Sequence, residues 1–177
     1  MKPIHYLLFS AITAAVFLTA GIPGGSDAQP VGKTEDTMIQ EKIGESGLKQ
    51  ATFAGGCFWC VESDLEKVEG VKEVISGYTG GHTENPAYEE VSSGKTGHAE
   101  AVRVIYDPEA VTYKELLEVF FRHIDPTDPD GQFVDRGSQY RSEIFYHNEE
   151  HRQAAERMIP ELDATRLLDE SIATPAT

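Results

Sequence analysis

The chain's 177 residues suffice for one domain with a sizeable core and are too few for two. Its 30 acidic against 15 basic side chains give a net charge of −15, and no basic stripe or run occurs. That balance excludes nucleic acid as an expected partner and reads as a well-solvated surface.

Lys2 precedes an apolar run from Tyr6 to Ala20, then a turn-rich Gly21–Gly25 and the small residues Ser26, Asp27 and Ala28. The pattern predicts a signal peptide over residues 1–28, cleaved after Ala28. An uncleaved membrane anchor is the competing reading. No cysteine follows the run closely, which excludes a lipoprotein anchor. The expected location is therefore periplasmic or secreted, or membrane-anchored if the segment is retained, where cysteines can oxidise. Residues 29–48 are polar and read as a linker or flexible arm. The folded part is expected as a single catalytic domain over 49–177.

Within it, Ala51–Ala54 reads as a short buried strand. Val61, Leu65 and Val68 recur at helical spacing, so a helix is expected over Cys57–Lys67. Val71–Tyr78 reads as a strand and Ala87–Val91 as a short helix after Asn85-Pro86. Glu100–Tyr106 alternates Ala101, Arg103 and Ile105 against Val102, Val104 and Tyr106, a clean strand signal. Thr112 with Glu115 forms a capping box for a helix whose apolar stripe is Leu116, Leu117, Val119, Phe120 and Ile124. An irregular segment from Asp125 to about Tyr140 follows; loops of that length inside a domain are usually functional. Ser142–Tyr146 reads as a strand, and Asn148 caps a last helix over Glu149–Met158. The tail from Pro160 has weak helical character and is expected to fray at Thr174–Thr177. This order predicts an α/β fold, specifically an α+β sandwich: a mixed central sheet flanked by helices, with a ferredoxin-like core and long functional loops.

The chemistry concentrates in Gly55-Gly56-Cys57-Phe58-Trp59-Cys60, which holds both cysteines and the only tryptophan. Glycines let the backbone turn tightly from strand into helix. Unpaired N–H groups and the helix dipole at that turn favour negative charge on the first sulfur. Cys57 and Cys60 lie one helical turn apart, about 5–6 Å between Cα atoms and within disulfide reach. A structural disulfide closing so short a loop stabilises by only about 2 kcal/mol, so a redox or nucleophilic role is the stronger reading. Zinc would need further ligands of similar spacing, which the chain lacks. His147-Asn148-Glu149-Glu150-His151 matches a metalloprotease pattern, yet Asn148 as cap puts His147 before the helix and off the face of His151. His98 and His123 are candidate bases for a Cys–His pair, or ordinary loop and helix-end histidines. Glu100 at a strand mouth and Asp135 in the long loop are candidates for desolvated carboxyls, or solvated surface groups.

Five ordered motifs carry a family resemblance: Gly55–Cys60, Gly77-Tyr78-Thr79-Gly80-Gly81, Asn85-Pro86-Ala87-Tyr88, Thr96-Gly97-His98-Ala99-Glu100 and Asp135–Ser142. Together they resemble the peptide methionine sulfoxide reductases of the A type, which act on the S epimer, over about Thr52 to Arg152. The resemblance implies that Cys57 attacks the sulfoxide sulfur and that Glu100 gives a proton to its oxygen. It implies assistance from Tyr88 and Tyr140, with Asp135 in the supporting network. Phe58 and Trp59 would form the apolar pocket for the substrate methyl group. Cys60, the only other cysteine, would resolve the sulfenic acid as a Cys57–Cys60 disulfide. The implied partners are oxidised proteins or peptides, free methionine sulfoxide and a thioredoxin-like electron donor; no cofactor is implied, and a monomer is the default. Relatives continue into a segment with a Tyr-His-Gln element that nothing after Arg152 matches, so the expected tail is divergent or shortened. Two rival readings are a thioredoxin-type thiol–disulfide oxidoreductase and a non-catalytic binding domain stapled by its cysteine pair.

Overall fold

The computed structural model describes residues 39–40, 43–44 and 46–177. The expected signal peptide with its Ala28 cleavage site, and most of the 29–48 arm, lie outside the described residues. Of that arm, Ile39, Gln40, Ile43, Gly44 and Ser46 are helical.

From Lys49 the elements run β1 (Lys49–Gly55), α1 (Phe58–Leu65), β2 (Val71–Thr79), α2 (Tyr88–Ser92), β3 (Ala99–Tyr106) and α3 (Tyr113–His123). A two-residue hairpin follows, β4 (Gly131–Gln132) with β5 (Asp135–Arg136), then a 3-10 turn at Ser138–Tyr140, β6 (Ser142–Phe145) and α4 (Glu149–Ala164). The main sheet has the order β2-β3-β1-β6. Strands β1 and β2 flank β3, and all three pairings are antiparallel. This is the expected ferredoxin-like order. All four strands pair antiparallel rather than mixed, and the tail adds a single isolated parallel bridge, Ala176 to Ile144. The residues expected to fray thus satisfy an open sheet edge, with Ile144 N donating to Pro175 O and Thr177 N to Ile144 O, each at 2.9 Å.

The alternation read in β3 sorts its faces. Val102, Val104 and Tyr106 join Phe53 and Ile144 on the face covered by helices, while Ala99 and Ala101 pack on the other with Ala54 and Phe145. Against the first face lie Val61 and Leu65 of α1, Leu116, Leu117 and Phe120 of α3, and Ala155 and Met158 of α4. The Phe53 ring stacks on Phe120 at 5.0 Å and on Tyr113 at 6.0 Å. Truncating a ring so enclosed costs about 3–5 kcal/mol.

Both anticipated caps form: Thr112 Oγ1 accepts from Glu115 N at 3.2 Å, and Asn148 Oδ1 from His151 N at 2.9 Å. The last helix, however, runs on through Pro160 to Ala164. Proline removes one N–H and crowds the preceding turn, but Met158 and Leu162 lie on either side of it and pack into the core. Burial there outweighs the local preference. The metalloprotease-like pattern dissolves, since His147 bonds Thr52 Oγ1 through Nε2 at 2.8 Å and His151 stacks on Tyr113 at 3.7 Å.

Candidate active site

β1 delivers the chain to Gly55 and Gly56, where no larger residue fits. A Cβ on Gly55 would lie 2.7 Å from Ile124, and one on Gly56, whose φ is +90°, 2.8 Å from Gln132. The turn places Cys57 as the N-cap of α1, its carbonyl accepting from Cys60 N at 3.0 Å. Cys57 is half-buried and Cys60 exposed; both are free thiols. Partial burial pushes the Cys60 thiol's pKa up, and the neighbouring Cys57 and Asp135 add to it.

Glu100 enters from β3. Only 2 % exposed, its Oε2 accepts from Phe58 N, the amide next to Cys57, at 3.1 Å. Burial raises its pKa; the Phe58 bond opposes that and the Asp135 charge reinforces it. A carboxyl so placed holds its proton to higher pH than a surface glutamate. Tyr140, from the 3-10 turn, is raised by burial and then by Glu100, Tyr88, Asp135 and Cys57, so its phenol stays a hydrogen-bond donor. Tyr88 is exposed at the start of α2 and Asp135 half-buried in β5, and both push the Tyr140 phenol up. Phe58 is buried, and Trp59 stacks on it at 6.0 Å with 72 % of its own surface open. Aromatic rings thus stand beside the half-buried Cys57 thiol and the buried Glu100 carboxyl, an environment that suits a methyl on sulfur better than water does.

The family model described as peptide methionine sulfoxide reductase matches residues 49–177. The peptide methionine sulfoxide reductase MsrA of Listeria innocua is 52 % identical over 130 residues, 73 % of either chain. The MsrA/MsrB protein of Vibrio cholerae is 50 % identical over 161 residues, 91 % of this chain and 40 % of that protein. Among solved structures, methionine sulfoxide reductase A of Corynebacterium diphtheriae superposes with a TM-score of 0.63 at 35 % identity, covering 72 % of this chain and 63 % of that one. Mxr1 of Saccharomyces cerevisiae in reduced form gives 0.62 at 33 % identity over 72 % and 74 %. The chain belongs to the peptide methionine sulfoxide reductase family.

Of the sequence-predicted residues of this reductase family member, Cys57, Phe58, Trp59 and Cys60 form the start of α1, Glu100 bonds Phe58 N, Asp135 lines the cavity of Cys57 and Cys60, and Tyr140 lies near Glu100, Cys57 and Tyr88. His98 and His123 are otherwise engaged. Gly81 N donates to His98 Nδ1 at 3.3 Å while His98 Nε2 donates to Thr83 O at 2.8 Å; His123 Nδ1 bonds Val119 O at 2.7 Å. His98 therefore ties the loop carrying Tyr88 to the root of β3.

Sequence reasoning missed Tyr78. It pairs directly across from Glu100 and stacks on Phe58 at 5.7 Å, with burial and then the Glu100 charge raising its phenol pKa. The register of β2 against β3, counted from the Glu73–Ile105 pair, finds it; a bulge between Val71 and Glu73 shifts by one any count begun at Tyr106. Gln132 was missed too. Its side-chain amide accepts from Asp125 N and donates to Asp125 O, both at 2.7 Å, closing the long loop over Gly56.

Proposed function

We propose that this chain is a peptide-methionine (S)-S-oxide reductase acting on oxidised proteins, peptides and free methionine sulfoxide. The observation that carries the reading is Glu100: buried, its pKa raised, and hydrogen-bonded to the amide of the residue after Cys57. The Cys57 thiolate attacks the sulfoxide sulfur while Glu100 protonates the departing oxygen, with Tyr88, Tyr140 and Tyr78 donating hydrogen bonds to it. The attack forms a Cys57 Sγ–S bond as the S–O bond breaks and the protonated oxygen leaves as hydroxide; hydroxide then adds to Cys57 Sγ while that S–S bond breaks, releasing methionine and leaving a sulfenic acid on Cys57. The Cys60 thiol then attacks that sulfur, water leaves and a disulfide forms. A thioredoxin-like dithiol restores both thiols by exchange. Trp59 and Phe58 hold the substrate methyl group. The chain works outside the cytoplasm, periplasmic or secreted, or membrane-anchored if its N-terminal segment is retained; the Tyr6–Ala20 run and its small-residue flank support this.

The test is reduction of a methionine sulfoxide peptide, resolved by epimer, with dithiothreitol as donor. Wild type should consume the S epimer alone, and Cys57→Ser should consume neither. A folded wild type that leaves both epimers intact would sink the reading.

A further inference from the structure

The long loop presents two apolar residues to water. Phe133 is 69 % exposed and Val134 90 % exposed, at the two-residue connection between β4 and β5. Phe133 also has φ +50°, a left-handed backbone that hairpin turns normally assign to Gly or Asn and that a bulky side chain resists. The connection is not a loose tip. Below it, Gln132 clamps Asp125 through two bonds, Gly137 N donates to Asp130 O at 2.9 Å, and Arg136 pairs with Asp128. A strained, solvent-facing phenylalanine on a braced hairpin is costly for the free protein and marks a site where something else covers it.

Its position says what. Phe133 lines the same cavity of about 60 Å³ as Cys57, Cys60 and Asp135. Because Phe133 and Cys57 line one small cavity, a chain with its oxidised methionine at Cys57, rising about 3.3 Å per residue, brings neighbouring residues within reach of this turn. The chemistry of the substrate matches. Methionine sits in apolar cores, and oxidation makes it polar and loosens the packing. The segments this damage opens carry apolar residues beside the sulfoxide.

We propose that the Phe133–Val134 turn docks apolar residues flanking an oxidised methionine in a partly unfolded polypeptide, an inference that rests on the reductase reading above. It is a selectivity surface beside the catalytic groups and takes no part in the chemistry.

The decisive variant is Phe133→Asn, which suits the left-handed backbone and should melt no lower than wild type. Three S-epimer substrates with dithiothreitol as donor separate the cases: N-acetyl-methionine sulfoxide amide, a hexapeptide with Leu and Val flanking the sulfoxide, and the same hexapeptide with Ser flanks. The expected result is about a tenfold loss of kcat/KM, carried by KM, on the Leu/Val peptide alone, with Phe133→Trp restoring it. Equal losses on all three substrates, or none, would overturn the proposal. So would a defect seen only when thioredoxin replaces dithiothreitol, which would assign the turn to the electron donor. Wild type inactive on all three substrates would refute the reductase reading itself. Wild type active on them but indifferent to the flanks would overturn this inference alone.

Discussion

Replacing Glu100 by Gln isolates proton donation from architecture. The amide keeps an oxygen to accept the Phe58 N–H that the carboxylate meets at 3.1 Å, so the start of α1 should stay in place. What disappears is the only buried carboxyl bonded beside Cys57 among the described residues. Positioned general acids contribute about 10²–10⁴-fold, or about 3–5 kcal/mol of barrier. The expected outcome is therefore a fall of at least a hundredfold in kcat with dithiothreitol, with KM little changed and the melting temperature within a few degrees of wild type.

The pH dependence gives a second readout. A donor must be protonated, so the wild-type rate should fall as pH rises through the raised pKa of Glu100, and this limb should vanish in Glu100→Gln. Stability carries the matching sign. The folded state holds the Glu100 proton above its ordinary value of 4.5, so wild type loses stability relative to Glu100→Gln as pH rises from that value through the raised one. Stopped-assay kinetics and urea titrations across pH measure both effects. Retention of more than a tenth of wild-type kcat, with the pH limb unchanged, would refute the assignment of Glu100 as the acid.

Cys60→Ser should still release about one methionine per enzyme in a single turnover without reductant, yet lose most steady-state turnover with thioredoxin, as quench-flow and coupled assays would register. Full steady-state activity in that variant would show that Cys60 does not resolve the sulfenic acid. His151 predicts an acid-sensitive fold: burial, with a smaller push from His147, lowers its pKa to about 4 from 6.5. Because the unfolded chain takes up the proton first, stability should be full above pH 6.5 and decline down to about pH 4, by at most about 3 kcal/mol. Urea melts at pH 7 and 4.5 measure it, and His151→Phe should flatten the difference; an equally steep decline in that variant would refute the role of this histidine.

Local physics made much of the protein legible in its sequence. The period-two pattern of β3 sorted its faces, the Thr112–Glu115 and Asn148 caps set two helix starts, and the double glycine before Cys57 marked the strand-to-helix turn that holds the thiol. These signals act over a few residues, so one chain segment contains both cause and effect. Tertiary structure decided what depends on distant partners. Glu100 is a buried proton holder because α1 and the Asp125–Tyr140 loop close over the end of β3; the same residue on an open strand would be an ordinary surface carboxylate. Tyr78 became a site residue through strand register, and α4 passes Pro160 because Met158 and Leu162 find a core there. Thr174–Thr177 is ordered because β6 leaves its edge open. Sequence specifies which groups are present and how each segment bends; desolvation and pairing across the sheet determine what those groups can do.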